Sequence, residues 1–132
     1  MQDMSFTISR VLETEFDAAI RRTTAALGLE GFGILTDIDV KATMKEKLGI
    51  GDFPRYRILG ACNPPIAHAA LTAEPAIGVM LPCNVIVREM ANGQIEIAAI
   101  NPVAAIGAIG NSALTRLAAD VAAKLTKAVN AV

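Results

Sequence analysis

Short apolar–polar alternations, one strong hairpin signal and several amphipathic helical stripes together predict an α+β fold. The expected order is β-α-β-α-β-α-β-β-α. This makes two layers: a mostly antiparallel sheet of about five strands, with the helices packed on one face. The first strand is read from Met4-Ser5-Phe6-Thr7-Ile8-Ser9, where apolar and polar residues alternate as on a half-buried strand. Thr14, with Asp17 three residues on, predicts the cap of a first helix whose inner face is Phe16, Ala19, Ile20, Thr23 and Leu27. Gly28 is its expected left-handed stop. Residues 31–38 form the second expected strand, with Phe32, Ile34, Thr36 and Ile38 on one side. Asp39 then caps a short helix that turns Val40, Met44 and Leu48 inward, places Lys45 and Lys47 at its negative end and closes at Gly49.

Residues 55–62 predict a third strand. It becomes wholly apolar towards its end and so is expected to run into the interior. Asn63-Pro64-Pro65 is a helix start, with Asn as cap and Pro in the first turn. That helix is expected over residues 66–73, stopped by Glu74-Pro75. Residues 83–90 and 94–100 pair as a hairpin through Ala91-Asn92-Gly93, because Asn-Gly is a strong hairpin-turn pair. Leu114, Leu117, Val121, Leu125 and Val129 draw one apolar stripe along a final helix.

Composition narrows the functional classes. The 132 residues fit one domain, 1–132, with no linker or repeat to divide it. The apolar share is about 60% once glycine is counted, above the roughly 45–50% of ordinary domains. That surplus predicts a buried subunit contact, a homodimer, or an apolar pocket. Twelve basic against thirteen acidic residues, with no basic cluster and few aromatics, argue against a nucleic-acid partner. Residues 1–15 do not read as a signal peptide. The uncharged run 97–115 is interrupted by Asn101-Pro102, Gly107, Gly110 and Asn111, so a membrane span is not expected. A cytoplasmic protein with two reduced thiols is the resulting expectation.

The candidate site lies between residues 58 and 87, where only Glu74 carries a formal charge and where both cysteines and the single histidine fall. Cys62-Asn63 ends the third strand and Cys83-Asn84 begins the fourth. If those strands are antiparallel neighbours, the two Cys-Asn steps meet at one end of the sheet. Cys62, Asn63, Cys83, Asn84 and His68 are therefore the candidate ligand-binding residues. Cys62 precedes a helix N-terminus, where amides and the helix dipole favour a thiolate. Ordinary structural roles compete with this, since cysteine is commonly buried and Asn before Pro is a common cap. Cys62, His68 and Cys83 could supply three ligands to a metal, but a structural zinc needs a fourth, so no metal is expected. A disulfide would rest on tertiary proximity, since no Cys-x-x-Cys occurs. His68 lies too far along its helix to touch Cys62 as a catalytic base. Asp37 and Asp39, and likewise Arg55 and Arg57, alternate onto one strand face, where capping and solvation suffice to explain them. Gly31-Phe32-Gly33 precedes a strand and Gly107 to Gly110 lacks a following Lys-Ser/Thr, so neither is a nucleotide loop.

Longer strings carry a family resemblance. GFGILTDIDVKATMKEKL over residues 31–48 and YRILGACNP over 56–64 closely resemble the domain of unknown function 302 family. So do Glu74-Pro75-Ala76-Ile77-Gly78 and Leu81-Pro82-Cys83-Asn84-Val85. The resemblance implies a compact α/β fold with an antiparallel sheet, similar to the TATA-binding-protein-like arrangement, and a dimer. It implies no activity, substrate or cofactor. Where the family tends to read Ile-Asp-Pro, this chain has Ile100-Asn101-Pro102, so a carboxylate role there has no residue to carry it. The leading expectation is a non-catalytic small-molecule-binding or protein-interaction module centred on the two Cys-Asn steps. The alternative is a thiol-dependent or metal-dependent enzyme using Cys62 and Cys83.

Overall fold

The computed structural model describes residues 6–132. Its elements are β1 (Thr7–Leu12), α1 (Phe16–Leu29), β2 (Gly33–Asp39), α2 (Val40–Leu48), β3 (Tyr56–Cys62) and α3 (Pro64–Ala73). A 3₁₀ segment (Pro75–Met80) leads to β4 (Cys83–Glu89) and β5 (Ile95–Ile100). Then come α4 (Pro102–Ile106), a 3₁₀ turn (Gly107–Ile109) and α5 (Ser112–Ala131). The five strands form one open sheet in the order β1-β5-β4-β3-β2, every neighbouring pair antiparallel. The α+β class, the antiparallel sheet and the strand count thus follow the sequence pattern.

One face of the sheet carries the core. Leu59 and Ala61 of β3, Val85 and Val87 of β4, and Ile95, Ile97 and Ala99 of β5 alternate onto it and are buried. Phe16, Ala19 and Leu27 of α1, with Val121, Leu125 and Val129 of α5, close over them. Each such Leu, Ile or Val contributes about 1.5–3 kcal/mol by leaving water. The guanidinium of Arg10 on β1 donates to the backbone oxygens of Asn130 (2.9 Å) and Val132 (2.7 Å). A cation is thereby set against the negative end of α5. A smaller cluster, Ala70, Ile77 and Leu114, lies beyond the end of the sheet, where α3, the 3₁₀ segment and α4 meet α5.

Several local expectations are corrected. β1 runs further towards the helix than the alternation indicated, and Met4 and Ser5 lie outside the described residues. Helix α1 starts at Phe16 with Glu15 in the cap position and no side-chain cap, because Thr14 sits one residue too far out to reach the first amides. Gly28 stays inside α1. The left-handed residue is Gly31, at φ +86°, after which the Phe32 N–H returns to the Leu27 carbonyl. Helix α2 keeps its Asp39 cap, whose Oδ1 accepts from the Ala42 amide at 2.9 Å, and its left-handed Gly49. It buries no residue, however, and Leu48 is 67% exposed. The reason is placement: α2 bridges β2 and β3, and the only extensive contact it makes is with β3.

Strand β2 departs from simple alternation. Its register with β3 shifts between Ile34 and Thr36, leaving Leu35 as an extra residue. Ile34 therefore pairs with Ala61 on the core face, while Thr36 and Ile38 pair with Gly60 and Ile58 on the opposite face. Beyond the bulge, Asp37 shares the core-side face with Arg57, whose Nε donates to Asp37 Oδ1 at 2.7 Å and whose second nitrogen donates to Oδ2. Those bonds hold the Asp37 carboxyl below its usual range, against a smaller opposing effect of burial.

Candidate functional site

The two Cys-Asn steps meet at one end of the sheet. Cys83, the first residue of β4, pairs with Ala61 of β3, and Cys62 is the next residue along β3. Beyond them the chain leaves the sheet on both strands: β3 turns into α3, and β4 is entered from the 3₁₀ segment through Leu81-Pro82. The turn into α3 is fixed by Asn63. Its Oδ1 accepts from the Ile66 amide at 3.4 Å and its Nδ2 donates to the Glu30 carbonyl at 3.3 Å, which ties α3 to the end of α1. A cap of this kind is worth about 1 kcal/mol.

A gap remains between the end of the sheet, α3 and the N-terminal half of α5. It is a cavity of about 320 Å³. Its floor holds Ala61, Cys62, Pro82 and Cys83; its walls hold Ile66, Ala67 and Ala70 of α3 and Leu114, Leu117 and Val121 of α5. Ile77, Pro102 and Ile106 complete the far side. None of the nineteen lining residues is Asp, Glu, Lys, Arg or His. The cavity opens beside its two most exposed lining residues, Leu35 at 66% and Leu71 at 40%. The β2 bulge is what puts Leu35 at that rim, since without the extra residue the register would not break there.

The structure brings together three of the five candidate residues: Cys62, Asn63 and Cys83 all border this cavity. The other two point elsewhere. Asn84 follows Cys83 on β4 and so alternates to the opposite face of the sheet, where it is exposed. His68 is exposed on α3, whose Ile66, Ala67 and Ala70 are the residues turned inward. Cys62, His68 and Cys83 do not converge, and among the described residues no three His, Cys, Asp or Glu form a group able to hold a metal ion. No disulfide joins the two cysteines.

The thiols differ in setting. Burial, and to a smaller extent the neighbouring Cys62, push the Cys83 thiol up from its ordinary value. The folded protein therefore keeps a proton that the unfolded chain would release. The stability contributed by this neutral thiol is complete below the ordinary thiol pKa and is lost as pH rises through the raised one. In a Cys62→Ser variant, alkylation of Cys83 by iodoacetamide, followed by mass spectrometry, should still accelerate above the ordinary value of 9.0. A rate that flattens at that value would show a normally solvated thiol.

The lining residues that the sequence reading did not name are apolar side chains with no chemistry of their own. Leu35 lies in the bulge, Ile77 and Leu81 in or after the 3₁₀ segment, and Pro102 and Ile106 in α4. Ile77 and Leu81 fall in the charge-poor segment 58–87, and Pro102 and Ile106 in the uncharged run 97–115, which is the end of strand β5, helix α4, a 3₁₀ turn and the start of α5. Among the described residues no helix is long and apolar enough to cross a membrane.

Comparison with known proteins supplies the relationship that the strings suggested. The model of a family described as a domain of unknown function, DUF302, matches residues 8–132. The chain belongs to the DUF302 family. Its fold is similar to the crystal structure of an uncharacterized conserved DUF302 protein from Bacillus stearothermophilus, at 29% identity and a TM-score of 0.88. That match covers 96% of this chain and 97% of the other. No curated protein matches the chain. The DUF302 assignment therefore establishes the fold and the family, and function has to be argued from the cavity.

Proposed function

We propose that this DUF302 protein is a binding module that takes a small, uncharged, apolar molecule into the cavity at the end of its sheet. The observation that carries the reading is the lining: about 320 Å³ bounded by nineteen residues without one ionised side chain. That volume lies at the lower end of the range for small-molecule pockets, roughly 300–1,000 Å³. The one amide on the wall, Asn63, is already engaged on both its oxygen and its nitrogen. A charged group placed inside would lose its water and gain no partner, which costs several kcal/mol. An apolar guest loses nothing comparable and gains close contact with the apolar walls.

Thiol-dependent chemistry at Cys62 and Cys83 is the second reading, favoured by both residues bordering one cavity, although Cys62, next to Ala61, alternates away from the face that Ala61 and Cys83 share. Against it stand the raised Cys83 pKa, which lowers the thiolate population, and the absence of His68 from the lining.

Fluorescence titration with N-phenyl-1-naphthylamine, an uncharged probe, tests the binding reading. Saturable binding is expected, with the anionic 8-anilinonaphthalene-1-sulfonate at least about tenfold weaker. The variant Ala67→Phe, which pushes a ring into the cavity from α3, should abolish binding while leaving the stability unchanged or raised by up to about 2 kcal/mol. Loss of binding together with a large loss of stability would show only a damaged fold, and Ala67→Leu then provides the milder filling. Absence of saturable binding by the neutral probe, or preference for the anionic one, overturns the proposal.

A further inference from the structure

The sheet has a second face, and its composition is unusual for one left to water. The strand registers align Ser9, Ala98, Ile86, Ile58 and Ile38 in a single row across all five strands, on the side away from the core residues. Ile38 at one end is 49% exposed, and Val11, on the same face of β1, is 43% exposed. Isoleucines stacked across strands support one another, yet that alone does not require four consecutive strands to present apolar residues on an open face. Antiparallel sheets with one solvated face ordinarily alternate to polar residues there.

The charges on this face are as informative as the apolar row. Among its strand residues only Arg88 and Glu96 are ionised, and they bond to each other, Nε to Oε1 at 2.6 Å. The face is therefore neutral, with its single pair of charges already satisfied. A surface meeting its own copy must bring identical charges together; the Arg88 side chains that meet across a two-fold axis along β4 are each already paired with the Glu96 of their own copy. A partner of opposite charge would have nothing to read here.

Size and symmetry agree. Five strands at about 4.8 Å spacing and six residues at about 3.3 Å rise give a face of roughly 24 by 20 Å, so two such faces bury on the order of 1,000 Å². That is about the least a specific interface needs. The row is centred on Ile86 of the central strand β4. A two-fold axis parallel to β4 through Ile86 keeps the two sheets fully overlapped. It sets Ile58 of one copy over Ala98 of the other and Ile38 over Ser9, bulky residue over small one. We propose that this protein forms a two-fold dimer through its open sheet face, the isoleucine row of each copy packed against that of the other. The interface is independent of the cavity, which lies beyond the end of the sheet on the core side.

Sedimentation velocity on the full chain at about 100 µM, well above the dissociation constant of a small but specific interface, reads the association state. The wild-type protein is expected to be a dimer. Ile86→Glu should raise the dimer dissociation constant at least about a hundredfold, because two uncompensated carboxylates would be buried at the axis. Its circular dichroism should remain that of the wild type. Should Ile86→Glu fail to fold, Ile38→Glu at the exposed end of the row makes the same test. Leu71→Glu, on the rim of the cavity, should leave the dimer intact. A monomeric wild-type protein overturns the proposal. So does a dimer that survives the substitutions in the row, or one that Leu71→Glu dissociates.

Discussion

Gly60→Ala should lower the stability of the protein by about 3 kcal/mol, a fall in melting temperature of roughly 10 °C for a domain of this size. Gly60 lies inside β3, opposite Thr36 on β2 and Asn84 on β4. A Cβ added there would stand inside contact distance of Thr36 Oγ1 and 2.7 Å from Pro82 Cγ. The hydroxyl of Thr36 can rotate away. The Pro82 ring cannot, and it is held at the entry to β4. Elsewhere in a strand, alanine in place of glycine would stabilise by about 0.5–1 kcal/mol through the smaller entropy of the unfolded chain. The sign of the change is therefore diagnostic. Thermal unfolding followed by circular dichroism measures it, and Thr36→Ala added to Gly60→Ala should recover part of the loss while the proline contact remains. A Gly60→Ala protein as stable as the wild type would mean that the bulged register of β2 against β3 is misplaced.

The second large effect is expected from Leu114→Ala. Leu114 is 1% exposed, in the first turn of α5, just past an N-cap whose Asn111 Oδ1 accepts from the Ala113 and Leu114 amides at 2.9 and 3.2 Å. It lines the cavity and also forms the centre of the smaller cluster with Ala70 and Ile77, which fixes α3 and the 3₁₀ segment to α5. Truncation removes the transferred side chain and joins its volume to a space already present. The walls cannot collapse to fill it, so the cost should reach about 3 kcal/mol. The protein should unfold at a lower denaturant midpoint with an unchanged slope. If the cavity binds apolar molecules, N-phenyl-1-naphthylamine should raise the melting temperature of Leu114→Ala by more than that of the wild type, since a larger cavity admits more of the probe and binding to the folded state alone stabilises it. A loss below about 1 kcal/mol would mean that α5 does not depend on this residue for its contact with α3.

Much of the architecture was legible in the chain because it depends on local chemistry. Asn92-Gly93 names a hairpin whatever lies around it, and Gly93 indeed takes φ +86°. Asn63-Pro64-Pro65 starts α3 by the same kind of local rule. The stripe from Leu114 to Val129 is buried along α5 apart from the half-buried Leu117. The local rules failed where two readings of one residue competed. Thr14 and Gly28 are a reasonable cap and stop, but a cap functions only at the residue adjoining the helix. Which residue that is depended on how far β1 extended and on where Phe32 had to enter the core. The short 3₁₀ segment and α4 went unread because each is too brief to show a period.

The candidate site divides in the same way. Placing both Cys-Asn steps at one end of the sheet required β3 and β4 to be antiparallel neighbours, a condition that the strand order meets. Removing Asn84 and His68 from the cavity required the directions of individual side chains. Those are set by alternation along β4 and by the roll of α3 about its axis.

The amino-acid sequence by itself determined the class of fold and the order of its strands and longer helices, because alternation, capping and turn chemistry act over a few neighbouring residues. Only the tertiary structure decided that a void remains beyond the sheet and that four apolar or small side chains align on its open face. A void is the volume left when α3, α4 and α5 meet without filling the space between them. The row exists because one extra residue, Leu35, resets the phase of β2 and turns Ile38 to the side of Ile58, Ile86 and Ala98.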